Sequence, residues 1–92
     1  MKLKCGAAIR ELRQEADVSL RELATRLGWD RGRLSKYETD AVGLTLPVIE
    51  EIAAGLQLRP EVVVLKCIQS RYPALKKSDA GRYLANLVNA LE

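Results

Sequence analysis

The segment Ser19–Glu38 constrains the fold most, because it encodes two short amphipathic helices with very little chain between them. Its sequence is SLRELATRLGWDRGRLSKYE. Ser19 followed three residues later by Glu22 is a capping box, which marks the start of a helix. Gly28 predicts the end of that helix, and Asp30 is the N-cap that predicts the start of the next one at Arg31. The apolar residues of the first helix recur at the spacing of a single face: Leu20, Leu23, Ala24 and Leu27.

The positive charge of the chain is concentrated in the same segment. The chain has 15 basic and 12 acidic residues, a net charge of +3. Residues 26–36 contain four basic residues and one acidic residue, and so carry as much net charge as the whole chain. Two helices joined by a tight glycine-containing turn form a helix-turn-helix, and the charge of the basic second helix is compatible with nucleic acid as a partner without being sufficient to show it.

Length and composition indicate one small domain without a metal site. The 92 residues suit a single domain, and 48% apolar residues with only 4% aromatics predict an aliphatic core. The chain has no histidine and only two cysteines, so we expect neither a metal nor a cofactor. Cys5 and Cys67 are expected to be buried free thiols, with a disulfide as the alternative. With no signal peptide or membrane span in the sequence, a cytoplasmic protein with no membrane partner is expected.

The rest of the chain also favours helices, so the predicted fold class is all-α. A first helix is expected over residues 4–16, and a fourth begins after the cap Thr45 with Pro47 in its first turn. Residues 59–70 contain three consecutive valines that would suit a strand, but helix is favoured because no second strand is available. Residues 70–77 are expected to be a linker, and a sixth helix is expected over residues 78–91.

Four motifs in order resemble the lambda-repressor-like, Cro-type (XRE family) helix-turn-helix DNA-binding domains. They are IRELR, SLRELATRLG, RLSKYE and TLPVIEEIAAGLQL, and the resemblance covers roughly Ile9–Val63. It implies a five-helix bundle whose third helix enters the major groove of double-stranded DNA, while the second lies across the backbone. It also implies a two-fold homodimer on an inverted-repeat operator. We therefore assign residues 1–69 to the DNA-binding domain and 70–92 to a linker and an additional C-terminal helix.

The third helix supplies the candidate base-reading residues. Successive 100° steps place Leu34 and Tyr37 on the inner face, leaving the other side chains outward. Arginine offers a fork of donors that matches guanine in the major groove. The base-reading candidates are Arg31, Gly32, Arg33, Ser35 and Lys36. The alternatives are an ordinary solvated basic face and, for Gly32, a poorly optimised helix position instead of close approach to DNA.

Candidate contacts to the DNA backbone lie on the second helix and at the ends of the motif. They are Ser19, Arg21, Thr25, Trp29 and Thr39. For Trp29, packing is favoured over DNA contact, since the family usually carries an aliphatic residue there. Many relatives carry a DNA-contacting glutamine just after the helix-two cap. Here Leu20 occupies that position and cannot donate to DNA.

The apolar stripe near the C-terminus predicts a dimer interface, with packing onto its own bundle as the alternative. The predicted dimerisation residues are Leu65, Ile68, Leu84, Leu87, Val88 and Leu91, and Val62 could belong to the same interface. A homodimer is favoured because one small recognition helix rarely supplies enough affinity.

Four functions are compatible with these features. The first is a sequence-specific transcriptional regulator, more specifically a repressor. The second is an antitoxin with a DNA-binding head and a segment that binds a toxin. The third is a protein-interaction, or bridging, module. An enzyme is the least favoured, because general acid–base chemistry has no histidine and no carboxylate cluster to use.

Overall fold

The computed structural model describes residues 2–71, which form a bundle of five α-helices. They are α1 (Gly6–Glu15), α2 (Leu20–Leu27), α3 (Arg31–Glu38), α4 (Leu46–Gly55) and α5 (Pro60–Arg71). The prediction of an all-α five-helix bundle is confirmed for this part of the chain. The linker predicted from residue 70 is wrong at its start, because α5 continues to Arg71. The rest of that linker and the predicted sixth helix lie outside the described residues.

The helix-turn-helix begins and ends where its capping residues predict. The Glu22 amide donates to Ser19 Oγ over 3.0 Å at the start of α2, and the Arg33 amide donates to Asp30 Oδ1 over 2.8 Å at the start of α3. Gly28 ends α2 in the left-handed region at φ 71°, a conformation that favours glycine. Local side-chain chemistry therefore sets the length of both helices.

The core is aliphatic, as the composition predicts, and it lies between α1, α4 and α5 on one side and the helix-turn-helix on the other. α1 packs against α3 and α5, α2 packs against α3 and α4, and α4 packs against α5. α5 is a helix despite its valines, because Val63 and Val64 are fully buried against the bundle. The largest fully buried side chains are Ile9, Leu23, Leu34, Leu44, Ile49, Ile52, Val63, Val64 and Cys67. Among residues 2–71, no helix is long and apolar enough to cross a membrane.

α1 begins at Gly6, two residues later than the sequence predicts. The preceding residues are extended, because Leu3 forms an isolated β-bridge with Leu44 in the loop before α4. Each of these residues donates its amide to the carbonyl of the other over 2.8 Å. The extended start of the chain thus fixes the loop that follows α3.

The expectation of two free thiols is wrong, because Cys5 and Cys67 form a disulfide. They are 62 positions apart in sequence, but the packing of α1 on α5 brings their Cα atoms within 5.4 Å. Lys66 reinforces the same contact by donating to Glu15 on α1 over 3.1 Å. The beginning and the end of the described chain are therefore joined covalently as well as by packing.

Reduction of this disulfide should lower the free energy of unfolding by about 2–4 kcal/mol, because the unfolded chain regains the conformational entropy of a long loop. Thermal unfolding with and without a thiol reductant measures the effect. The Cys5→Ala/Cys67→Ala variant is the control, and its melting temperature should not respond to the reductant. Equal melting temperatures for the oxidised and reduced wild-type protein would contradict this prediction.

Candidate nucleic-acid interface

α3 presents a basic outer surface and a buried inner one. Arg31, Arg33 and Lys36 are exposed, whereas Leu34 is fully buried. Of the other base-reading candidates, Gly32 is exposed and Ser35 is half-buried. The structure therefore brings all five candidates together on one short helix, and places the three cations where a large partner can reach them.

Trp29 lies beneath this surface, in the turn between α2 and α3. Its side chain is only 9% exposed, and its ring centroid is 5.5 Å from that of Tyr37. The guanidinium carbon of Arg33 lies over the same ring, 3.9 Å from its centroid. Trp29 thus packs into the bundle, as the sequence favours, and also contacts one of the base-reading candidates.

Four of the five candidate backbone contacts are exposed and Trp29 is buried, but the hydroxyl protons of the two threonines already have acceptors. Thr25 Oγ1 donates to the Arg21 carbonyl over 2.9 Å, and Thr39 Oγ1 donates to the Ser35 carbonyl over 2.9 Å. A phosphate accepts hydrogen bonds, so each hydroxyl would have to rotate away from its own helix to contact one. Ser19 and Arg21 are exposed beside them at the start of α2.

Two positions that depart from the usual helix pattern have structural explanations. Leu20 is half-buried and packs against the core, which is what an apolar residue there can contribute. A Cβ at Gly32 would lie 3.0 Å from Asp30 Oδ1, the oxygen that caps α3. Glycine therefore leaves room for the capping carboxylate.

One basic residue of the segment, Arg26, is exposed but also contacts the bundle. Arg26 Nη1 donates to the carbonyl of Gly55 at the end of α4 over 3.0 Å. A Cβ at Gly55 would lie 2.9 Å from side-chain atoms of both Leu23 and Leu27, so α2 and α4 cross closely here. This contact holds α2 in place behind α3.

A buried ion pair between α1 and α3 positions the basic helix, and sequence reasoning missed it. Arg13 Nε and Nη2 donate to the two carboxylate oxygens of Glu38 over 2.8 and 3.0 Å. The side chains are 12% and 3% exposed. Arg13 also donates to the Val18 carbonyl, and Arg10 lies 3.5 Å from Glu38. The pKa of Arg13 is raised above its ordinary value, mainly because Arg13 donates hydrogen bonds to Glu38. Burial of the guanidinium acts in the opposite direction and lowers that pKa.

Gly6 is a second residue whose role the sequence did not reveal. Its amide donates to Asp40 Oδ1 over 2.8 Å, which places a carboxylate at the N-terminus of α1. A Cβ at this position would collide with the carbonyl oxygens of Tyr37 and Glu38. The start of α1 therefore touches the end of α3 backbone to backbone, a contact that only glycine permits.

The predicted dimerisation residues fall into three groups. Ile68 is 4% exposed and packs in the core of its own bundle, which leaves little of its side chain for a partner, and its place in an interface stays a prediction. Leu65 is half-buried, and Val62 on the same helix is 39% exposed. The remaining four lie outside the described residues: Leu84, Leu87, Val88 and Leu91.

Comparison with known families identifies the class of this fold. A family model described as a helix-turn-helix domain matches residues 5–65, and the chain belongs to this family. The predicted resemblance to lambda-repressor-like, XRE-type domains is confirmed. The family suggests a DNA-binding regulator and is typically non-enzymatic. No curated protein matches the chain. Within residues 2–71, no group of histidine, cysteine or acidic residues is arranged to hold a metal ion.

Glu38→Ala should lower the free energy of unfolding by about 3–5 kcal/mol, because it leaves the Arg13 guanidinium buried without its carboxylate. Urea unfolding measures the loss. Glu61→Ala is the matched control, since its ion pair with Arg59 is exposed on both sides, at 86% and 53%. The control should change stability by less than about 1 kcal/mol. Equal effects of the two substitutions would show that the buried pair has no special role.

Proposed function

We propose that the protein is a sequence-specific regulator of transcription that binds double-stranded DNA as a homodimer and acts as a repressor. The observation that carries this proposal is the exposure of Arg31, Arg33 and Lys36 on α3, opposite a buried face. In a helix-turn-helix protein this helix enters the major groove. A charged surface on a rigidly held helix is what such docking requires.

The three cations have the chemistry for base recognition. The arginine guanidinium donates two parallel hydrogen bonds, which match the O6 and N7 acceptors of guanine. Arg31 is the first residue of α3, where a long side chain can reach beyond the helix end toward the groove floor. We assign the exposed Arg21 and Ser19, at the start of α2, to phosphates on the flanking backbone.

The length of α3 supports a dimer. Its 8 residues extend over about 12 Å. At 3.4 Å per base pair, such a helix spans about three or four base pairs, too few to define a unique site. Two copies related by a two-fold axis would read an inverted repeat. We assign the subunit contact to Leu84, Leu87, Val88 and Leu91, together with Val62 and Leu65 of α5. A dimer bound over a promoter would repress by excluding the polymerase.

Selection of bound duplexes from a random DNA pool tests the proposal. The salt concentration must stay fixed near the physiological level, because phosphate contacts make affinity fall steeply as salt rises. Enrichment of an inverted repeat would support a dimeric sequence reader, and the half-site spacing would give the separation of the two α3 helices. Binding without enrichment, lost on modest addition of salt, would instead favour a protein-interaction module.

Arg31→Ala should relax the base preference at one position of each half-site by about 1–3 kcal/mol, the discrimination that a bidentate arginine–guanine pair supplies. Competition binding against duplexes altered at each position measures it. Arg59→Ala is the control, because it removes the same charge from an exposed site before α5. An unaltered preference in Arg31→Ala would remove Arg31 from the base-reading set.

Leu87→Glu should weaken dimerisation, because a carboxylate in the apolar stripe has to be desolvated on association. Sedimentation equilibrium of the full chain, over a range of concentrations, should show a shift toward monomer and a parallel loss of operator affinity. Asn86→Glu is the control, since it adds the same charge on the opposite side of the predicted helix. A dimer as stable as that of the wild type would contradict the assigned interface.

A further inference from the structure

We infer that Trp29 is a positioning residue that holds the Arg33 guanidinium in place for base recognition, and thereby contributes to DNA sequence specificity. The inference rests on the proposed function. It concerns a contact that the usual aliphatic residue at this turn could not make, because only an aromatic ring attracts a cation over its face.

The position of the Trp29 ring is fixed from several directions. The Trp29 amide donates to the Ala24 carbonyl over 2.9 Å, which ties the turn to the last residues of α2. The side chain is 9% exposed, and its ring lies against Tyr37 of α3. A ring held by both helices of the motif gives the guanidinium a rigid surface.

Arg33 is held at both of its ends. Its amide donates to the capping oxygen of Asp30 over 2.8 Å, and its guanidinium carbon lies 3.9 Å from the Trp29 ring centroid. Arg33 is nevertheless exposed. Stacking occupies a face of the planar guanidinium and leaves its N–H groups at the edge, where they can donate to a base. The stacked and the base-bound states are therefore chemically compatible.

Restricting Arg33 before binding should strengthen recognition. A free arginine side chain loses rotamer entropy when a base fixes it, and this loss opposes binding. Stacking on Trp29 removes part of that freedom in the unbound protein, so less is lost when DNA arrives. Arg31, for which no such aromatic contact is found in the described part of the chain, provides an internal comparison.

The test compares base preferences of variants of the full chain. First, the wild type and Arg33→Ala are selected against random duplexes, which identifies the position that depends on Arg33. Trp29→Leu should then reduce the preference at that position roughly two- to fivefold, the factor expected for an exposed cation–π pair. It should leave the Arg31-dependent position unchanged. Trp29→Tyr, which keeps an aromatic face, should restore most of the preference.

Several results would overturn the inference, and they differ from failure of the proposed function. If Trp29→Leu weakens binding equally at all positions, Trp29 has only a structural role. If it reduces the preference in the Arg33→Ala background as well, its effect does not pass through Arg33. If the wild type selects no sequence, the proposed function fails and the inference fails with it.

A second measurement does not depend on DNA or on folding of the Trp29 variants. Trp29 is the only tryptophan in the chain, so its fluorescence reports its own surroundings. Arg33→Ala should shift the emission toward longer wavelength and raise quenching by acrylamide, a neutral quencher, because removal of the guanidinium uncovers the ring. Arg31→Ala is the control and should leave both unchanged. Emission and quenching of Arg33→Ala identical to the wild type would show that the stack is absent in solution.

Discussion

The contact between the start of α1 and the end of α3 is the constraint on which the placement of the basic helix depends. It depends on the missing side chain of Gly6, which lets the two backbones touch, and on two carboxylates at and just after the end of α3. The Asp40 carboxylate satisfies the Gly6 amide, and the Glu38 carboxylate receives the buried Arg13. Glu38 is the last residue of α3 and Asp40 follows two positions later, so both carboxylates hold the end of α3 against α1. An N-terminal helix that makes no predicted contact with DNA therefore helps to fix where the basic surface of α3 lies.

Helix α3 contributes side chains both to the core and to the basic surface. The two sets of side chains meet at Trp29, in the turn between α2 and α3. Leu34 is fully buried, while the residue before it lies exposed on the Trp29 ring. Trp29 itself packs in the apolar core and presents the face of its ring to the Arg33 guanidinium. A single substitution at such a residue would therefore change both the packing of the core and the surface beneath Arg33. Neighbouring residues differ here in function because successive side chains point to different faces.

Sequence patterns predicted those parts of the structure that local interactions determine. Ser19, Gly28 and Asp30 each act on a backbone group within a few residues, so the bounds of α2 and α3 were correct. The outward placement of the α3 cations followed from helical geometry alone. The Arg13–Glu38 pair, by contrast, joins residues 25 positions apart, and an arginine on an amphipathic helix looks the same whether it faces water or a buried carboxylate. The cysteines illustrate the same limit, because their spacing in sequence says nothing about the packing of α1 on α5.

The disulfide also has a mechanical consequence. Cys5 and Cys67 lie at the two ends of the bundle in sequence but next to each other in space, with Cα atoms 5.4 Å apart. A pulling force applied to the two ends of the chain would pass directly through the sulfur–sulfur bond. Helices α2, α3 and α4 would carry no tension, because all three lie inside the closed covalent loop. A pulling force on the two ends of the chain would therefore not reach the basic surface of α3.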